Sequence, residues 1–183
     1  MYVTSSYLEK QQNNCSFYML YEDYLQTQMT SMKDLNLLLQ RFARELGEKA
    51  TLVVPFVEDI TKIKNKIMSK EWTPEQLETI KKMPGMLMID VDFSEFNPTQ
   101  NKWAYFYFDL EEGSIKEIEK LLKKIAQIVK QGEENLLEKV IALQRKNVLK
   151  DLNKAIEIKP NIMGVEINLK EGAKVIKELT SKY

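Results

Sequence analysis

Apolar residues recur with a helical period in several parts of the chain. The clearest stripe has intervals of three and four residues and comprises Leu35, Leu38, Leu39, Phe42 and Leu46. Gly47 follows the stripe and suits the left-handed backbone in which many helices end. The pattern therefore predicts a helix that begins near Ser31 or Asp34 and ends at Leu46.

Two further helices are predicted in the first half of the chain, and one more segment is open to two interpretations. Phe17, Leu20, Tyr21 and Tyr24 fall on one helical face and predict a helix over 17–26. Thr73 and Pro74, with Gln76 three residues after Thr73, form a helix-start signal. The run TLVVPFV from Thr51 is either a strand of about five residues or the entry to a helix at 57–69, where isoleucines recur at helical spacing.

The longest helical pattern covers residues 114–156. Its apolar stripe is interrupted at Gly132, and its polar side is rich in Lys and Glu at spacings that suit ion pairs, such as Glu119 with Lys123. The pattern predicts two long amphipathic helices, or one helix with a kink at Gly132. Most such helical hairpins cover a sheet, and some offer a face to a partner.

Four segments have the composition of strands: 51–55, 86–93, 103–109 and 162–169. In 86–93, Leu87 and Ile89 alternate with Asp90 and Asp92 in the manner of a strand with one buried and one wet face. Asn97-Pro98 marks a turn after this segment, and an antiparallel hairpin to 103–109 is expected.

Together these elements predict an α+β fold. We expect a mostly antiparallel sheet of three or four strands, covered by a long helical hairpin at 114–156, with additional N-terminal helices. The chain contains no repeat and no linker, so residues 1–183 are interpreted as one domain. Residues 1–30 are polar and tyrosine-rich and form a peripheral segment that a partner could order.

Composition and charge narrow the classes of partner. The 183 residues contain 27 basic and 27 acidic side chains, so no overall positive charge favours a polyanion, which argues against nucleic acid. The apolar runs are too short for a membrane span. A single cysteine, Cys15, and the lack of a leader pattern lead us to expect a cytoplasmic protein that does not bind membranes.

The chain contains no histidine, which excludes histidine-based triads and histidine zinc sites, and one cysteine cannot build a thiolate zinc site. Carboxylates are therefore the side chains that remain as candidates for a metal site. Asp90 and Asp92 would lie about 7 Å apart on one strand face. Glu166 could join them if its strand is adjacent, with Asp109 or Glu111 nearby. Such a cluster would hold Mg²⁺ or Mn²⁺ in a metal-dependent hydrolase or nuclease. The alternative interpretation is the solvated face of a sheet.

The leading hypothesis is a non-enzymatic protein-interaction or regulatory module without a cofactor, which binds another protein or itself. Its proposed contact residues are aromatic and lie on the 103–109 strand and the 17–26 segment: Trp103, Tyr105, Tyr107, Tyr18, Tyr21 and Tyr24. Packing in the core would explain the same aromatic residues. A nucleic-acid-binding subunit would instead require a contiguous basic face.

Overall fold

The computed structural model describes residues 2–4, 15–22, 26–108, 114–131, 136–145, 156–162 and 165–166. The strands are β1 (Tyr2–Thr4), β2 (Ser16–Leu20), β3 (Thr51–Val54), β4 (Gly85–Ile89), β5 (Trp103–Phe108), β6 (Ile156–Ile162) and β7 (Val165–Glu166). The helices are α1 (Gln26–Leu46), α2 (Ile60–Met68), α3 (Pro74–Ile80), α4 (Ser114–Gln131) and α5 (Leu136–Arg145). The spacing of Val175, Ile176 and Leu179 also predicts a short terminal helix, which lies outside the described residues.

The strands form one mixed sheet in the order β1-β3-β2-β4-β5-β6-β7. β3 is parallel to both β1 and β2, whereas β4, β5, β6 and β7 are each antiparallel to the preceding strand in this order. The α+β class is confirmed, but the predicted sheet of three or four mostly antiparallel strands is corrected to a mixed sheet. The parallel pair β2 and β3 is possible because the 21 residues of α1 are long enough for a crossover.

Both faces of the central strands are buried. In β2, Phe17 and Met19 belong to one hydrophobic cluster, whereas Tyr18 and Leu20 belong to the other. All five residues of β4 are buried as well. The prediction of one wet face is therefore wrong, because helices cover the sheet on both sides and strands in such a layer are apolar on both faces.

The helices divide between the two faces. On the first face, α1 and α4 pack against each other and, with α5, bury residues such as Leu39, Ile125 and Val140. On the second face, Ile63 of α2 and Ile80 of α3 pack with the segment around 93–96. Three layers result, with the sheet in the middle.

Two predicted helical boundaries are confirmed by their local chemistry. α1 ends at Leu46, and Gly47 has φ 60°, a conformation that glycine adopts without steric cost. α3 begins with a complete capping box: Thr73 Oγ1 accepts from the Gln76 backbone N–H at 3.3 Å, and Gln76 Oε1 accepts from the Thr73 N–H at 3.0 Å. The hairpin of β4 and β5 is also antiparallel as predicted.

Three predicted elements are corrected. The helix expected over 17–26 is instead β2, whose residues alternate between two buried faces. The strand expected over 86–93 ends at Ile89. In the segment expected as a strand over 162–169, the described residues belong to two strands: Ile162 ends β6, and Val165–Glu166 forms β7. β6 includes Pro160, which lies opposite Ala104 of β5 and beyond the two residues of β6 that pair with β7.

Candidate functional site

The structure does not reproduce the strand geometry that was predicted for Asp90 and Asp92. β4 ends at Ile89, and Asp90 is an exposed residue in the bend that follows. Asp92 Oδ1 accepts hydrogen bonds from the backbone N–H of Ser94 at 3.0 Å and from Ser94 Oγ at 2.9 Å. Asp92 therefore stabilises a local turn, a common use of aspartate.

The third predicted carboxylate lies at the far side of the sheet. Glu166 is in β7 and lies opposite Asn161 of β6, so two strands, β5 and β6, separate it from β4. Asp109 and Glu111 fall outside the described residues. Within the described part of the chain, no group of three or more Cys, Asp or Glu side chains has the arrangement of a metal site.

Asp90 has an altered acidity that comes from its own surroundings. Loss of hydration, the largest effect, raises the pKa of its carboxyl, whereas a hydrogen bond with its own backbone and the nearby charge of Lys102 lower it. Lys102 forms an ion pair with Glu138 of α5, which joins the start of β5 to the first face. The arrangement is a structural ion pair beside a carboxylate.

The aromatic residues of β5 lie in the core rather than on the surface. Trp103 and Tyr105 are buried, and Tyr107 is half-buried. The Trp103 indole N–H donates to the Pro98 carbonyl oxygen at 3.0 Å, and the Tyr105 hydroxyl donates to the Lys82 carbonyl oxygen at 2.5 Å. Buried aromatic side chains with satisfied polar ends are typical of cores, so Trp103 and Tyr105 do not present the exposed contact surface that the prediction requires.

The tyrosines proposed on the 17–26 segment are also largely inaccessible. Tyr18 packs against Phe93 with ring centroids 5.4 Å apart, and burial raises the pKa of its hydroxyl to about 12. Tyr21 is buried at the end of β2, and Tyr24 lies outside the described residues. Cys15 is buried beside β2, and burial raises the pKa of its thiol, which keeps it in the less reactive protonated form.

A different place in the fold has the features of a binding site. The parallel strands β2 and β3 are neighbours, and their carboxyl ends lie at the same edge of the sheet. The chain passes from β2 to α1 on the first face, but from β3 to α2, whose Ile63 and Ile67 lie on the second face. The two connections therefore diverge. In open α/β sheets, ligands bind in the crevice outside the carboxyl ends at such a switch point.

We call this place the carboxyl edge and define it as residues 20–22 and 54–59. Two contacts join its two segments or anchor them to α2. The Tyr21 hydroxyl donates to the Pro55 carbonyl oxygen at 2.9 Å, and Lys64 Nζ donates to Glu22 Oε1 at 3.3 Å. Both side chains of this ion pair are partly buried. The edge is thus held in one arrangement.

Phe56 and Val57 are the distinctive residues of the carboxyl edge. Their exposed fractions are 42% and 63%, and the other large apolar side chain known to be exposed is Leu37 of α1, at 55%. Val57 begins a short 3-10 turn, Val57–Asp59, in which the Asp59 N–H donates to the Phe56 carbonyl oxygen at 2.9 Å. The backbone presents two adjacent apolar side chains to solvent from a defined turn.

Two ion pairs and one further carboxylate surround this apolar pair. Lys64 pairs with Glu22, Lys62 Nζ lies 4.0 Å from Asp59 Oδ1, and Glu58 is exposed. The edge offers apolar contact area with a polar rim, the composition of protein interfaces. Sequence analysis missed Phe56 and Val57 because they continue the apolar run TLVVPFV. The sequence does contain a signal for this turn: Pro55 ends the strand, and the acidic residues Glu58 and Asp59 follow.

Among the helices that the structure describes, none is both long enough and apolar enough to cross a membrane. Comparisons with protein families, curated proteins and solved structures found no match to this chain.

Proposed function

We propose that this chain is a non-enzymatic protein-interaction or regulatory module whose contact surface is the carboxyl edge. The observation that carries the proposal is the exposure of Phe56 and Val57 at the switch point of the sheet. Exposed apolar side chains that lie next to each other and have a polar rim favour a protein contact. The proposal moves the contact surface away from Trp103, Tyr105 and Tyr18, because their burial leaves them little area to offer.

The energetic argument is that an aromatic anchor contributes most when a partner removes it from water. Complete burial of a fully exposed side chain of this kind contributes roughly 1.5–3 kcal/mol through its apolar area. Phe56 and Val57 are 42% and 63% exposed, so a partner that covers them gains about half of that from each. The edge does not need to reorganise for this binding energy to be gained. The hydrogen bond between Tyr21 and Pro55 and the ion pair between Glu22 and Lys64 already fix its two segments.

The partner is another protein or a second copy of the chain. In this proposal the module acts in the cytoplasm, uses no bound cofactor, and carries α4 and α5 as a helical hairpin on the first face. That face and the carboxyl edge are different surfaces, so a contact at the edge does not require the hairpin to move.

The test compares a carboxyl-edge variant with a matched surface variant. We would replace Phe56→Ser and Val57→Ser together, and separately replace Gln100→Ser, which changes an exposed side chain in the loop before β5, at the opposite end of the sheet. The wild-type protein and both variants would be immobilised in equal amounts and used to capture partners, with light scattering to detect self-association. We expect the edge variant to lose the captured protein or the dimer, and Gln100→Ser to retain it.

Circular dichroism and thermal unfolding would establish that both variants fold. Exposed side chains contribute little to the monomer, so each substitution should change the stability by less than about 1 kcal/mol. Equal capture by the wild-type protein and a folded edge variant would contradict the proposal.

A further inference from the structure

Helices α1 and α4 carry an uneven share of the charge of this neutral chain. Their sequences contain eight Lys and Arg residues but four Asp and Glu residues, a net charge of +4. The remainder of the chain therefore has a net charge of −4, since the whole contains 27 residues of each sign. These two helices therefore carry a positive excess that the overall composition conceals.

The positive charge lies on the outer side of the two helices. Arg41 and Arg44 of α1 are exposed, as are Lys116, Lys120 and Lys123 of α4. The inner sides of both helices are occupied by core residues such as Leu39 and Ile125. An anionic partner that approaches this face therefore meets cationic side chains before it meets the sheet.

A shallow groove with a small cavity lies between these two helices. The cavity has a volume of about 30 Å³, and its apolar lining residues Leu38, Phe42 and Leu122 are themselves largely buried. The charged lining residues are Arg41, Glu45, Glu119 and Lys123. A volume of this size admits about two water molecules or the end of one apolar side chain. Leu37, which is exposed on α1, extends the apolar area beyond the groove.

Both carboxylates of the groove are already accompanied by cations. Glu119 Oε1 lies 2.8 Å from Lys123 Nζ, and Glu45 Oε2 lies 3.8 Å from Lys130 Nζ. The hydrogen bond with Lys123, and more weakly the charge of Arg41, hold the pKa of Glu119 below its usual range. Glu45 and Glu119 are therefore neutralised locally, and the excess positive charge at Arg44 and Lys116 remains for a partner.

We propose that the groove between α1 and α4 docks an acidic, amphipathic segment of a partner protein. The positive excess of α1 and α4 selects an acidic segment, and the exposed Leu37 together with the small cavity selects a segment that also carries apolar side chains. A nucleic-acid backbone would satisfy the cations but has no apolar group for Leu37 or for the cavity. A membrane surface requires several exposed apolar anchors, whereas Leu37 is the one large apolar side chain exposed among the α1 and α4 residues whose burial the structure describes.

This inference does not depend on the carboxyl edge, which lies at a different place in the fold. The probe is a synthetic fluorescein-labelled peptide of about 18 residues, with Leu at positions i, i+3, i+4 and i+7 and Glu at most other positions. A scrambled peptide of the same composition keeps the charge but removes the apolar stripe. Fluorescence anisotropy with the full-length protein would give the affinity for each peptide.

Two variants and one control test the residues. Arg41→Glu with Lys123→Glu reverses the charge at the groove, and Arg44→Glu reverses an exposed charge outside the groove lining. Lys81→Glu, an exposed position beyond the end of α3, is the matched control for charge alone. We expect the scrambled peptide to bind about fivefold more weakly, the double variant about tenfold more weakly, Arg44→Glu about threefold more weakly, and Lys81→Glu within about twofold of wild type.

Equal affinity for the two peptides would overturn the proposal, because it would mean that charge alone determines binding. The absence of binding of the patterned peptide by the folded wild-type protein at about 1 mM would also overturn it. A 20-base-pair DNA duplex and phosphatidylserine vesicles would be titrated in parallel. Tighter binding of either one, weakened by the same double variant, would assign the face to a polyanion instead of an acidic protein segment.

Discussion

The aromatic ring of Tyr105 lies across the backbone of Gly85 at the start of β4. A Cβ atom added at Gly85 would lie 2.1 Å from the Tyr105 hydroxyl oxygen and 2.3 Å from its Cζ, which is far inside van der Waals contact. The same hydroxyl donates to the Lys82 carbonyl oxygen, so the ring has little freedom to withdraw. Glycine is required at position 85 because of this close approach.

We therefore expect Gly85→Ala to destabilise the protein by about 3 kcal/mol, since the ring must move and lose its hydrogen bond. Urea unfolding would measure the loss. The control is the same substitution in a Tyr105→Ala background, where the clash is gone and the cost of Gly85→Ala should fall below about 1 kcal/mol. Equal costs in the two backgrounds would show that the ring does not cause the requirement.

The burial of the Tyr18 hydroxyl leads to a second prediction, which concerns how the stability of the protein depends on pH. Burial, opposed by a hydrogen bond with Ser16, raises the pKa of Tyr18 to about 12 from the ordinary 10.0. Between these two values the unfolded chain has released the phenolic proton and the folded chain has kept it, so stability falls as the pH rises. Below pH 10 both states are protonated and the effect is absent.

The measurement is the free energy of unfolding of wild type and Tyr18→Phe from pH 8 to pH 12. The difference in unfolding free energy between the two proteins should be constant up to about pH 10. Above that pH the wild type should lose about 2–3 kcal/mol of stability relative to Tyr18→Phe. Lysines and the other tyrosines titrate in both proteins, so their effects cancel in the difference. Parallel curves over the whole range would contradict the burial of this hydroxyl.

Elements that carry their own local signals were predictable. The cap of α3 and the end of α1 depend on residues within four positions of each other, such as Thr73 and Gln76, and the sequence shows them directly. β2 was not predictable in this way, because both of its faces are buried and no polar position marks the alternation. The spacing of Phe17, Leu20 and Tyr21 then indicated a helix, although the neighbouring strands determine the outcome.

The capping box makes a prediction for α3. Thr73→Ala removes the side chain that accepts the Gln76 N–H and should reduce the stability by about 1 kcal/mol. Ser69→Ala is the control, because Ser69 Oγ makes an exposed hydrogen bond to the Lys66 carbonyl oxygen after the end of α2. Thermal unfolding of the two variants should separate them by several degrees. Identical midpoints would mean that the box is not needed for this short helix.

The arrangement of the whole molecule could not be derived from local patterns. The order of the strands depends on pairings between distant segments, such as Ser16 of β2 with Ile89 of β4. The switch point between β2 and β3 follows from this order, and it places Phe56 and Val57 at an edge of the sheet. The same order separates Glu166 from Asp90. Exposure and proximity depend on the sheet, so residue types alone do not show that Trp103, Tyr105 and Tyr18 are buried.

We propose above all that a partner binds at the carboxyl edge. The most direct test is photo-cross-linking from single positions of the full-length protein, with benzoylphenylalanine introduced at Phe56 or, as the control, at Gln100. Both positions are exposed, and they lie at opposite ends of the sheet. We predict one cross-linked species from position 56, formed with one protein or with a second copy of the chain, and none of that species from position 100. The same species from both positions, or none from position 56, would contradict the proposal.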